Sequence, residues 1–598
     1  MKNLIFKITF LLLIFIHFNE ANSQWVQRFH SVNNVFPGPM ITDNSGNIYT
    51  AGFSGYYYDW GDFLIIKYSS SGELQWQRYY DGSFHGYDYP YSIGIDDSGN
   101  VYVCGISEFA ENQVENILIK YNNSGLEKWQ KKIGRVGYIP ISYQQYMDMK
   151  VEGDGSIYVT TPQSNIGFST IRFNLNGDSI WVNKLSSDSY PRKMAIDSGN
   201  VYVSGMLEND IMTIKYSKTG EQLWIRSYDG VEHNDDLANT VDTDDSGNVY
   251  VSGVTNANVL PYRQFSTLKY DKSGLLLWVR SYNADYFTSS TDVLSQAVDD
   301  SGNVYISGQN DYQGIIIKYN TYGTRMWFTY QGSLGSVYRS IKFDDFDNVF
   351  LTGRGIFEQT NSNLITYKYS PSGLLLWSHS YGGNYDDEGY CLVLDNSGNV
   401  IVTGTSIQNG SRDIVTIKYQ NQSLNLNLSA LIDGLYDNLT NSMISDTVRV
   451  YLRSSELPYS IMDSTESILN SNGNGSFNFS FLNNAPVYIV VKHRNTIETW
   501  SNPVSIDNNP YSYDFTTSQS MAYGNNLLLK GIKYCLYSGD IDQDGNADLI
   551  DLYKIYNDAV TGVSGYVNTD INGDNFVDLD DVTISYNNMN QFVKIARP

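Results

Sequence analysis

A pattern close to Asp-x-Ser-Gly-Asn-Val-Tyr-Val-x-Gly recurs eight times along the chain, around Gly46, Gly99, Gly155, Gly199, Gly247, Gly302, Asp347 and Gly398. The copies lie 44 to 56 residues apart, the period of propeller blades. One such supersecondary unit cannot bury its own apolar face, so the copies must stack on one another. Self-similarity on this scale settles the fold class before any single residue does.

Each unit reads as four strands. A short apolar strand such as Ser92 to Ile95 enters the turn Asp97-Ser98-Gly99-Asn100, and Val101 to Val103 leaves it. Glycine supplies the positive φ that a hairpin turn needs, and Asp347 replaces it with a residue type that tolerates the left-handed region. After a variable loop a third strand ends in Lys-Tyr in seven copies, from Lys67-Tyr68 to Lys418-Tyr419, with Arg172-Phe173 in the third copy. A second Gly turn (Gly72, Gly125, Gly177, Gly220, Gly274, Gly323, Gly373) leads to a fourth strand carrying Trp four residues on: Trp76, Trp129, Trp181, Trp224, Trp278, Trp327 and Trp377.

The eighth copy has no fourth strand, because neither Gly nor Trp follows Lys418-Tyr419. Gln24-Trp25-Val26-Gln27-Arg28-Phe29 matches Gln75-Trp76-Gln77-Arg78-Tyr79-Tyr80 and supplies what is missing. A mainly β fold is therefore expected, an eight-bladed β-propeller over residues 24–420 whose last blade is completed by the N-terminal strand. Such closure removes open sheet edges. A seven-bladed ring with one displaced repeat is the alternative. The repeats resemble the SBBP family of bacterial propeller repeats, and the Gly-x-x-x-Trp turn is similar to the tryptophan-docking motif of eight-bladed quinoprotein propellers. The second resemblance implies that each Trp packs between neighbouring blades. The quinone cofactor does not carry over, since those enzymes often stack it on a disulfide between adjacent cysteines and Cys104, Cys391 and Cys535 are far apart in sequence. All three are expected to be free thiols inside the fold.

Residues present in every blade are first suspected of structural work. The repeated Lys is expected to pair with the repeated Asp of the first turn. An individual site must come from what does not recur, above all the loops joining second to third strands and joining successive blades. These carry Tyr57, Trp60, His85, Tyr87, Tyr143, His233, Tyr262 and Tyr286, with Asp88, Asp235 and Asp236 near the two histidines. Aromatic faces beside Asp, Asn and Gln suit stacking on a sugar ring or gripping a protein loop; packing of the same Tyr residues onto the rim is the structural alternative. No G-x-S-x-G, H-E-x-x-H or P-loop is present, so no nucleophile, catalytic metal or phosphate cradle is identified.

The repeat stops near Leu424. Thr447 to Leu452, Ser476 to Phe481 and Val487 to Lys492 alternate apolar and polar residues between Asn/Gly/Ser turns, so residues 424–530 read as a β-sandwich spacer. His493 and Arg494, at a strand end, are expected to be solvated. In the tail, Asp540, Asp542, Asp544, Asp548 and Asp551 occupy positions 1, 3, 5, 9 and 12 of a loop, with Gly545 at 6 and the carbonyl of Asn546 at 7. Asp570, Asn572, Asp574, Asp578 and Asp581 repeat the spacing thirty residues on, with Asn575 at 6 and the carbonyl of Phe576 at 7. Oxygen donors so spaced suit Ca²⁺, a hard cation that takes six to eight of them. Helical patterns follow at Leu552 to Asn557 and Val582 to Asn587. Residues 538–598 resemble a type I dockerin, whose last loop ligand is commonly Asp where an EF-hand has Glu. That resemblance implies a cohesin-like partner, although dockerin-like pairs also serve as structural end-modules.

Charge and the N-terminus bound the setting. The net charge is −25, and −8 of it lies from Asp540 onward. Nucleic-acid phosphates demand cations, so that class of partner is excluded. Lys2 and Lys7 precede the apolar run Ile8 to Ile16 and the small residues Ala21-Asn22-Ser23, a secretory signal peptide over residues 1–23. No later stretch reaches the length of a membrane span. The expected protein is secreted or held at the cell surface and binds a glycan or protein ligand without catalysis. An extracellular enzyme cutting polysaccharide or peptide at the propeller face is the alternative.

Overall fold

The structure, a computed structural model, describes residues 23–598 apart from 57–59, 139–146, 165–166, 186–187, 232, 257–262, 283–290, 311–312, 332–334, 357–360, 383–384, 409, 422, 460 and 480–485. The expected signal peptide thus lies almost wholly outside the described residues. The chain divides into two compact units after Gln420.

The first unit contains, among the described residues, eight four-stranded antiparallel sheets. The first strands in chain order are β1 (Ser23–Phe29), β2 (Val35–Thr42), β3 (Ile48–Tyr56), β4 (Trp60–Tyr68), β5 (Leu74–Tyr80), β6 (Asp88–Ile95) and β7 (Val101–Ala110). Strands β2 to β5 form one sheet, and six more sheets likewise use four consecutive strands. The eighth joins Glu388–Leu394, Val400–Gln408 and Ser411–Tyr419 to β1, with Phe29 opposite Ile414 and Trp25 opposite Lys418. Leading strands of successive sheets touch one another in sequence, and Glu388–Leu394 touches β2. This is β-propeller architecture. Second and third strands, such as Val249–Thr255 and Gln264–Tyr270, are buried along nearly their whole length, whereas fourth strands such as β5 alternate towards solvent. The difference arises because inner strands are covered on both faces by neighbouring sheets. Phe29, Ile401 and Ile414 share one such inter-sheet core with Val35, Ile48 and Leu64.

One contact repeats at seven junctions. The indole Nε1 of Trp25, Trp76, Trp129, Trp181, Trp224, Trp278 and Trp327 donates to a backbone carbonyl in the second Gly turn of the next sheet, at 2.9 to 3.3 Å. The repeated cation donates to the same carbonyl: Lys67 to Asn123, Lys120 to Leu175, Arg172 to Lys218, Lys215 to Lys272, Lys269 to Thr321, Lys318 to Pro371 and Lys418 to Ser70, at 3.1 to 3.4 Å. Glycine is needed beside that carbonyl. A Cβ at Gly125, where φ is +76°, would stand 2.7 Å from the Trp76 ring. The Lys–Asp pairing expected from sequence occurs at Lys269–Asp244, Lys368–Asp344 and Lys418–Asp395, but the carbonyl is the partner that recurs. The turn Asp is occupied by N–H groups of its own turn and by the repeated Tyr, as where Tyr102 Oη donates to Asp96 at 2.8 Å. The positive φ expected of the turn holds at Gly46, Gly99 and Asp347 but not at Gly199. That turn is one residue shorter, running from Asp197 directly through Ser198 and Gly199 to Asn200.

In the second unit, a three-stranded sheet (Asn474–Phe479, Leu424–Ser429, Tyr511–Asp514) and a four-stranded sheet (Ile461–Leu469, Asp446–Ser454, Val487–Lys492, Thr499–Trp500) contribute alternate residues to a common core. Cys535 and Leu536 belong to that core, and Leu536 N–H donates to Leu431 O at 2.8 Å. Two helices close the chain, α1 (Leu549–Thr561) and α2 (Leu579–Met589). Each begins three residues before the helical pattern read from sequence. Asp548 and Asp578 are N-caps, and each forms a capping box with the Asp three residues on, satisfying N–H groups that a helix start otherwise leaves orphaned. Among the described residues no helix is long and apolar enough to cross a membrane.

Candidate metal loops and propeller loops

The two tail loops have the same local build. Position 2 (Ile541, Ile571) and position 8 (Ala547, Val577) are buried, and Ile541, Ile571 and Val577 share a core with Ile555 of α1. Position 6 is left-handed in both, with φ +91° at Gly545 and +70° at Asn575. Asn is among the few side chains that tolerate this region, so the second loop keeps its turn without Gly. The position-12 carboxylates fold back in the same way. Asp551 accepts from Ile541, Asp542 and Asp548 N–H, and Asp581 accepts from Ile571, Asn572 and Asp578 N–H, all at 2.7 to 3.3 Å.

Charge is concentrated here: among the described residues the one basic partner of these carboxylates is Lys554, whose Nζ lies 3.3 Å from Asp542 Oδ2. Asp540, Asp542 and Asp544 each place a carboxylate oxygen within 4.8 Å of the other two. Asp540 is 1% exposed; one oxygen accepts Gly545 N–H at 3.2 Å, and Oδ1 has no hydrogen-bond partner. Burial, then the Asp551 charge, pushes its carboxyl up to about 7. Burial also raises Asp551 and Asp581. A buried oxygen left unpaired among carboxylates is costly unless a cation completes it, so this donor set fits a hard divalent ion. In the second loop both oxygens of Asp570 accept backbone N–H, from Gly573 and Asn575. Asn572 Oδ1 accepts Asp574 N–H, and Asp574 Oδ1 accepts Phe576 N–H.

The solvated placement expected for His493 and Arg494 is overturned. His493 is buried, with Nδ1 at 3.0 Å from Asn495 and Nε2 at 3.0 Å from Asp446 Oδ2. Arg494 bonds the same Asp446 oxygen, stacks 4.4 Å from the Tyr566 ring, and donates to the carbonyls of Val567 and Asp570. Tyr566 Oη donates to Asp446 Oδ1 at 2.6 Å. Burial alone would raise Asp446, but the bonds from His493 and Tyr566 outweigh it and hold the carboxyl well below its ordinary range. This network ties the four-stranded sheet to the first residue of the second loop.

On the propeller, Tyr57, Tyr143, Tyr262 and Tyr286 lie outside the described residues. Trp60 opens β4 opposite Tyr56. Tyr87 is half-buried, stacked on Tyr89 at 6.0 Å and packed on Phe53 at 5.6 Å. His85 and His233 are exposed and occupy matching loops, each with Nδ1 on the Asp four residues earlier, Asp81 and Asp229. Asp88 and Asp236 are wholly buried and bond the loop backbone at Gly82 and Gly230. Asp62 and Asp81, which sequence reading did not single out, join Asp88 in a second carboxylate cluster.

Fold and sites together define a β-propeller chain with acidic tail loops. Residues 75–107 match the family model described as beta-propeller repeat, SBBP, a window running from β5 through most of β7. No curated protein matches the chain. Among solved structures it is similar to the β-propeller domain of the Trilobed protease from Pyrococcus furiosus, at 11% identity over 56% of this chain and 95% of that one, TM-score 0.33. A protein of unknown function from Bacteroides caccae shares 13% identity over 50% of this chain and 94% of its own, TM-score 0.27. A type II cohesin–X-dockerin complex from Acetivibrio cellulolyticus shares 16% identity over 29% of this chain and 97% of that one, TM-score 0.19.

Proposed function

We propose that the protein is a secreted or cell-surface, non-catalytic binding and scaffold protein: an eight-bladed ring offering its loop face to a glycan or protein ligand, joined to a calcium-ordered, dockerin-like end-module. The observation that carries the reading is the duplicated loop with wholly buried Asp540 and its unpartnered oxygen. Asp540, Asp542, Asp544, Asp548, Asp551 and the carbonyl of Asn546 would hold one Ca²⁺. Asp570, Asn572, Asp574, Asp578, Asp581 and the carbonyl of Phe576 would hold the other. The ion supplies positive charge, and the chain's own carboxylates then hold each loop against the start of its helix.

Attachment is supported by α1. Leu549, Tyr553, Tyr556 and Val560 recur at helical spacing along one face and are 50 to 69% exposed, more apolar surface than a solvated helix needs. A cohesin-like protein is the partner this face and the resemblance suggest. Eight sheets in succession, with β1 completing the last, support the ring. Secretion rests on the basic and apolar N-terminal sequence.

Calorimetric titration of the intact chain with CaCl₂ tests the calcium reading. Asp540→Ala and Asp570→Ala should each remove one binding event, and unchanged stoichiometry in both variants would overturn it.

A further inference from the structure

We propose a third cation site, on the propeller, in which Asp62, Asp81 and Asp88 bind a hard divalent ion that pins the β3–β4 hairpin to the connection between β5 and β6. It is independent of the tail loops. Asp62 lies near the start of β4, Asp81 directly follows β5, and Asp88 opens β6. Each places a carboxylate oxygen within 4.8 Å of the other two. Gly61 holds the segments together through a parallel bridge to Tyr87 and a bond to Gly86 O at 3.3 Å.

The second observation is the state of Asp88. It is wholly buried, and Oδ2 accepts Gly82 N–H at 2.8 Å while Oδ1 has no hydrogen-bond partner. The Ser107 hydroxyl borders the same space, since a Cβ on Gly82 would meet both it and Asp88 Oδ1, but Oδ1 has no hydrogen-bond partner. That oxygen faces the Asp81-Gly82 turn, since a Cβ on Gly82 would stand 2.9 Å from it. Among the described residues no Lys or Arg pairs with any of the three carboxylates; the ion partner present is exposed His85, 2.6 Å from Asp81 Oδ2. A buried carboxylate oxygen beside two more carboxylates calls for a cation.

The same constellation occurs elsewhere in the ring and serves as an internal control. Asp210, Asp229, His233 and Asp236 occupy the positions of Asp62, Asp81, His85 and Asp88. There both oxygens of Asp236 are taken by backbone N–H groups, of Gly230 and Asn256, and Asp210 Oδ2 accepts the Ser227 hydroxyl. Loop closure therefore accounts for the copy at Asp236 and leaves one oxygen over at Asp88. All-oxygen donors select the Ca²⁺ and Mg²⁺ class over softer metals.

The test is calorimetric titration of the intact chain carrying Asp540→Ala and Asp570→Ala, so that the tail loops are silent. One CaCl₂ or MgCl₂ binding event should persist. Adding Asp62→Asn, at a half-buried position outside the loop's backbone bonds, should weaken it at least tenfold, and adding Asp88→Asn should abolish it. Adding Asp236→Asn should leave it within twofold. Absence of any event in the double variant, or an event that survives Asp62→Asn unchanged, would overturn the site. Failure of the tail loops is read separately, from the difference between wild type and the double variant. If Asp88→Asn does not fold, judged by its melting curve, Asp62→Asn carries the decision.

Discussion

Removing the side chain that seals the eighth sheet against the first should cost several kcal/mol. Phe29 is 7% exposed and sits between Ile401 and Ile414 of its own sheet and Val35, Ile48 and Leu64 of the next. Truncating a core Phe to Ala costs about 3–5 kcal/mol in transfer and cavity terms. Trp25, on the same strand, adds an indole bond to Ser70 O and packing against Gly72, and a net hydrogen bond is worth about 1 kcal/mol. The double variant Trp25→Ala/Phe29→Ala should therefore lose about 4–6 kcal/mol, a large share of the roughly 5–15 kcal/mol that a folded unit has. Urea unfolding followed by tryptophan fluorescence reads the loss directly. Size-exclusion chromatography should show new association, because Ser411–Tyr419 would become an open edge. Tyr79→Ala, at an exposed outer-strand position, should change the midpoint little. If the double variant unfolds at the wild-type urea concentration and elutes unchanged, β1 is not closing the ring.

Three further outcomes follow from single groups. His379 stacks 4.7 Å from Tyr419 and 4.6 Å from Trp377, and burial lowers its pKa to about 4; between there and about 6.5 the unfolded chain binds the extra proton. Its contribution is thus whole above pH 6.5 and declines by about 2–3 kcal/mol as pH falls to 4, a slope that His379→Phe should flatten in urea midpoints taken across that range. Asp446→Ala leaves buried His493 and Arg494 without their carboxylate and should cost about 3–5 kcal/mol, with Asp446→Asn milder on the same melting curve. Gly125→Ala meets both a left-handed φ and the Trp76 ring, so a loss of about 2–4 kcal/mol is expected from strain and overpacking together, against little change for a Ser124→Ala control.

What could be read from sequence was local. The Gly turns, the Trp four residues on and the ligand spacing of the tail loops each lie within about a dozen residues, so their chemistry is visible in one window. The partner of the repeated Lys was not visible. It is a backbone carbonyl on the next sheet, carried by Asn123, Leu175, Lys218, Lys272, Thr321, Pro371 or Ser70, and no side-chain identity marks it. His493 and Arg494 looked solvated because the groups that cover them, Asp446 and Tyr566, lie far away in the chain. Asp62, Asp81 and Asp88 meet from three separate segments, and of the three only Asp88 stands out in the sequence, beside His85. The capping boxes at Asp548 and Asp578 are masked in the sequence because the same residues fit the ligand spacing of the metal loops.

The most direct test of the central claim is the melting of the intact chain with and without Ca²⁺. Two sites each saturated at a hundred times their dissociation constant stabilise the unit that carries them by about 5 kcal/mol in total, which for a unit of the size of Asn421–Pro598 corresponds to about 10–20 °C. The account predicts that calcium raises the melting transition of that unit by this order, that excess chelator reverses the rise, and that Asp540→Ala/Asp570→Ala abolishes it. A transition that stays in place with calcium, or one that still rises in the double variant, would contradict a calcium-ordered end-module.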